Sequence, residues 1–108
     1  MPQQINPITV LAKRLSGARK RMGLSQKQLG IVSGLDPFVA STRINRYERA
    51  IHYPDPVTVQ CLANALGIPA AYLFASDDKL ARLILAFHAL PAKTQEHVVI
   101  ELEDKAKG

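Results

Sequence analysis

The chain has no tryptophan and a single cysteine, Cys61, so no disulfide can close within it. Its three histidines, His52, His88 and His97, stand at none of the spacings of a zinc site, and no metal or cofactor is expected. No apolar run is long enough to cross a bilayer. Met1 to Pro7 lacks the basic start, apolar middle and small-residue cleavage site of an export signal, which leads to the expectation of a cytoplasmic protein. Absent as well are a glycine-rich phosphate loop and any nucleophile beside a plausible base, so the chain is not expected to be an enzyme. No small-molecule ligand is indicated.

Carboxylates are scarce in the first half. Residues 1–54 carry nine Lys or Arg against Asp36 and Glu48, a balance of +7; residues 55–108 carry five against seven, a balance of −2. Such asymmetry points to a partner of dense negative charge, either nucleic acid or an acidic membrane surface. The membrane is the weaker reading, because the basic residues punctuate several helical segments and do not line one amphipathic helix.

What is present is helical spacing. The 108 residues, 47% of them hydrophobic, suit one compact domain, and no segment alternates like a strand. Ile8, Leu11, Leu15, Ala18 and Met22 form one apolar stripe, stopped by Gly23. Ser25 to Gln28 reads as a capping box that opens a short second helix, burying Leu29 and Val32 and ending near Ser33 and Gly34. Asp36-Pro37 then predicts a third helix from about Pro37 to Arg49, burying Ile44 and Tyr47, with Ser41 as a later start. Asp55-Pro56 repeats that start for a fourth helix ending at Gly67, and a short fifth runs from Pro69 to Phe74. A sixth helix begins at Ser76 to Asp78 with Leu80, Leu83, Ile84, Phe87 and Leu90 as its stripe. Pro91 separates it from a seventh, Ala92 to Lys105.

Function concentrates in VASTRINRYER, Val39 to Arg49. A helix that enters the major groove needs slim residues at its leading end and donors that reach base edges. Ser41, Thr42, Arg43, Asn45 and Arg46 offer those bonds, while Ile44 and Tyr47 fall on the opposite side. Ser41 and Thr42 have a plainer role open to them, as helix caps. Lys13 and Arg14 read most simply as solvated charges, and Cys61 as a core residue.

From Leu11 to Phe74 the chain resembles the phage-repressor, or Cro-type (XRE), helix-turn-helix family. The resemblance is carried by Arg19 to Gln26 (RKRMGLSQ), Gln28-Leu29, Gly34-Leu35, Ile44 with Tyr47-Glu48, Pro54, and LANALGIPAAYLF at Leu62 to Phe74. It implies an all-α five-helix bundle with helix 3 in the major groove, to which two C-terminal helices are added. The expected division is residues 1–75 for the DNA-binding bundle and 76–108 for a C-terminal extension, packed on the same domain and available for dimerisation.

The resemblance further implies that Ser41, Thr42, Arg43 and Asn45 contact bases and that Gln26, Lys27, Arg46 and Arg49 contact phosphates. Arg19 and Glu48 match the family's ion pair between helix 1 and helix 3. Two departures stand out. Between Gly34 and Ile44 the chain has about four residues more than the common pattern, near Asp36 to Val39, so either helix 3 is longer at its start or the turn bulges. Ala50 occupies the place of a helix-ending glycine. The implied function is sequence-specific binding of double-stranded DNA as a transcriptional regulator, expected to be a repressor and a homodimer. The competing class is an antitoxin or protein-interaction adaptor with secondary DNA binding.

Overall fold

The computed structural model describes residues 6–108, which form seven helices and, among the described residues, no strand: α1 (Pro7–Arg21), α2 (Gln26–Val32), α3 (Ala40–Glu48), α4 (Pro56–Leu66), α5 (Ala70–Phe74), α6 (Asp78–His88) and α7 (Ala92–Ala106). No described helix is long and apolar enough to cross a membrane.

Local chemistry sets most of these ends. The Asn6 side chain accepts the Ile8 N–H at 3.0 Å, and Pro7 opens α1. At α2 the capping box is complete: the Ser25 hydroxyl accepts the Gln28 N–H at 3.0 Å while the Gln28 side chain accepts the Ser25 N–H at 2.7 Å. Asp55 caps α4 through the Thr58 N–H at 2.7 Å. That bond from the Thr58 backbone is the main reason the Asp55 carboxyl lies below its ordinary range.

The core is drawn from the first five helices and their connections. Leu11 and Leu15 of α1, Leu29, Ile44, Leu62 and Leu73 are fully buried in one cluster, and Pro54 is fully buried in the connection before α4. From α6 only Ala81 is buried, with Ile84 and Leu85 against the same cluster. The α7 helix buries nothing. The Cα radius of gyration, 15.7 Å, accordingly exceeds the roughly 13 Å of a compact chain this long.

The structure departs from the expected pattern at several points, and at helix 3 it takes the bulged turn and later start of the two alternatives. Helix 3 begins at Ala40, three residues later than Pro37, because the Asp36 carboxylate turns the chain by accepting the Phe38 N–H at 2.8 Å and does not cap a helix. The extra residues thus bulge the turn and leave α3 short. Val32 is exposed, since α2 presses its Gly30 side onto Ala40; a Cβ on Gly30 would stand 2.6 Å from the Ala40 Cβ, and that contact rotates the helix. Leu80 and Leu83 are also nearly half-exposed, because α6 docks along its Ala81, Ile84 and Leu85 edge. Met22, last in the α1 stripe, stands half-exposed at the bundle rim.

Candidate nucleic-acid interface

Ala40, Ile44 and Tyr47 bury one side of α3. The helical period then turns Thr42, Arg46 and Arg49 outward, with Ser41, Arg43 and the half-buried Asn45 at the flanks. Between Asp36 and Asp55 the only carboxylate is Glu48, and its side chain is 6% exposed. The outward face of α3 is therefore polar and basic without a negative charge.

Glu48 is held by three hydrogen bonds from two side chains. Arg19 donates from Nε to Glu48 Oε2 at 2.6 Å and from Nη2 to Oε1 at 3.0 Å. Gln26 donates from Nε2 to Oε1 at 3.1 Å, and Arg19 Nη1 reaches the Leu24 carbonyl at 2.8 Å. A bidentate guanidinium fixes angle as well as distance, so α1, the start of α2 and the end of α3 are locked in one orientation. The bond to Glu48 raises the Arg19 pKa above its ordinary value, against the opposing effect of burial.

The remaining candidates are placed as follows. Arg43 donates to the Tyr47 hydroxyl at 2.6 Å, four residues along the same helix, with its guanidinium 5.8 Å from that ring. Lys27, Ser41, Thr42, Arg46 and Arg49 are exposed. Gln26, half-buried, spends one amide hydrogen on Glu48 and keeps a second for another acceptor. Ser41 and Thr42 lie inside α3, whose N-cap, Val39, makes no side-chain cap bond. The α3 C-terminus closes in the Schellman manner: Ile51 N–H reaches Arg46 O at 2.9 Å, and Ala50 N–H reaches Tyr47 O at 3.2 Å. Ala50 takes the left-handed φ of 58° that the missing glycine would adopt without strain.

Two supports, one behind this face and one at the far end of the bundle, are not legible in the sequence pattern. Gly30 allows α2 and α3 their close approach, and its signal was a glycine within a helix, where alanine is favoured. Arg14 is no solvated charge: its Nε donates to Ala75 O and its Nη2 to Asp78 Oδ1, both at 2.9 Å, tying α1 to the start of α6. Arg21 donates to the Tyr72 hydroxyl at 2.9 Å, and the Arg14 and Arg21 guanidinium groups lie 5.5 and 5.7 Å from the Tyr72 ring centre. Nothing in the spacing of these residues announced the cluster.

A helix-turn-helix family model matches residues 15–73, the span that contains α2, α3 and their braces. The chain belongs to that family, in its phage-repressor-like (XRE) branch of DNA-binding proteins. It is similar to the crystal structure of the transcriptional regulator BswR: 42% identity, a TM-score of 0.81, and coverage of 90% of this chain and 98% of that one. No curated protein matches the chain.

Proposed function

We propose that this protein is a sequence-specific regulator of transcription that binds duplex DNA as a homodimer and represses by occupying its operator. In this reading α3 lies in the major groove, where Ser41, Thr42, Arg43 and Asn45 meet base edges. Gln26, Lys27, Arg46 and Arg49 meet phosphates on either side. The observation that carries the proposal is the carboxylate-free outer face of α3, held at a set angle by Arg19, Gln26 and Glu48. Arg43 reaches guanine by exchanging its Tyr47 bond for a bidentate pair with O6 and N7.

Dimerisation is supported by the second region. Leu83, Ile84 and Phe87 of α6 and Val99 and Leu102 of α7 line an open apolar groove of about 410 Å³. Leu80, Leu83, Val99, Ile100 and Leu102 each keep between 37% and 47% of their surface exposed in the single chain. A second copy brings an identical strip to this face, as a two-fold interface requires. It also presents two recognition helices to half-sites about one helical turn apart.

The test is selection of bound duplexes from a random DNA pool, followed by sequencing. A two-fold symmetric motif is the expected result, with affinity that falls steeply as salt rises through counterion release. Recovery of no motif by the folded protein would defeat the proposal and favour the antitoxin or adaptor reading.

A further inference from the structure

The four residues Asp36, Pro37, Phe38 and Val39 form a built turn in front of α3. Asp36 grips it twice: its side chain accepts the Phe38 N–H at 2.8 Å and its carbonyl accepts the Val39 N–H at 3.0 Å. Pro37 fixes the backbone between them. The residue so presented is an aromatic with no packing partner of its own. Phe38 is 97% exposed, against 73% for Val57, the next most exposed large apolar residue. Tyr47 and Tyr72, by contrast, are buried in the core.

Position gives the ring its meaning. Phe38 stands two residues before the first residue of α3, three before Ser41 and four before Thr42, at the end of the helix that leads into the groove. We infer that Phe38 is a further base-reading residue, which recognises a thymine by packing its ring against the C5-methyl group in the major groove. The donors and acceptors of the groove edges offer a hydrocarbon ring nothing, and the thymine methyl is the apolar feature that distinguishes one base there. A contact to a second protein is the competing use of an exposed ring. The neighbourhood favours DNA: after the exposed Val39 come Ser41, Thr42 and Arg43, polar or basic and all exposed, and the adjacent carboxylate, Asp36, is engaged with the Phe38 N–H inside the turn.

This inference rests on the DNA-binding reading, and its test separates the two. A selected duplex has each thymine replaced in turn by deoxyuridine, which removes only the methyl group. Dissociation constants are then measured for the wild type and for Phe38→Ala. One thymine in each half-site is expected to weaken wild-type binding by about four-fold when its methyl is removed, the loss of one buried methyl. Phe38→Ala binds both duplexes equally and matches the wild type in circular dichroism and melting temperature, since the ring packs on nothing in the fold. The inference is overturned if the wild type ignores every uridine, or if Phe38→Ala keeps the same penalty at the same position. It is overturned too if Phe38→Ala binds DNA as the wild type does, which would assign the ring to a protein contact. If no duplex is selected at all, the DNA-binding reading has failed and this inference falls with it.

Discussion

The bundle of α1 to α5 and the pair α6–α7 have similar apolar periodicity and opposite fates. Leu11, Leu15, Leu29, Ile44, Leu62 and Leu73 of the bundle lose all contact with water, whereas α6 buries Ala81 alone and α7 buries nothing. An apolar stripe records that a helix seeks a partner. It does not say whether the partner belongs to the same chain. In the bundle the partners are the neighbouring helices; at α6–α7 much of the stripe remains open, which is the physical basis for proposing a second copy there.

Substitutions break or sharpen this contrast. The largest loss is expected for Glu48→Ala, which strands the Arg19 guanidinium, its side chain only 12% exposed. A cost of about 3 kcal/mol in denaturant unfolding follows for a buried charge left unpaired; a cost under about 0.5 kcal/mol would class the pair with surface ion pairs. Gly30→Val comes next. Its Cβ would meet Ala40 at 2.6 Å, and neither the Ala40 methyl nor its backbone has a flexible end to move. Overpacking predicts a loss of about 2 kcal/mol, together with weakened DNA binding as α3 is displaced. A normal affinity would mean that the angle between α2 and α3 is not critical.

Ala50→Gly runs in the other direction, with a gain of about 1 kcal/mol from relief of the left-handed conformation at φ 58°. No gain in melting temperature would count against strain at that turn. In α6 and α7, Leu83→Glu with Leu102→Glu is expected to change single-chain stability by less than about 0.5 kcal/mol, as befits exposed positions. The pair should nonetheless shift the protein to monomer in sedimentation. Unfolding of the double variant at high dilution would dissolve the contrast, because it would make these leucines part of the core. The smallest effect concerns acid. Since the Asp55 carboxyl is lowered in the folded state, its contribution is present above the unfolded carboxylate pKa and disappears as pH falls through the lower folded value. Asp55→Asn should therefore flatten the acid limb of the stability profile; an unchanged limb would refute the role of that cap.

Much of the helix order was legible because it is written in local chemistry. Ser25 with Gln28, Asp55 with Pro56, and Gly34, which takes a φ of 95°, mark boundaries through bonds a few residues long. The outward polar face of α3 was legible for the same reason, as Ile44 and Tyr47 fix its inward side. Asp36 misled because its carboxylate suits a helix cap and a free-standing turn equally well, and here it accepts the Phe38 N–H inside the turn. Arg14 misled because the Ala75 carbonyl that holds it lies sixty-one residues along the chain.

Taken alone, the sequence determined seven helices, a basic first half and the residue types of the α3 face, since each depends on residues within a turn or two of one another. Tertiary structure alone decided the length of α3, the full exposure of Phe38, the second brace that Gln26 adds to Glu48, and the edge on which α6 docks. Those features arise where distant segments compete for the same space and the same hydrogen bonds, and local preference cannot settle which of them prevails.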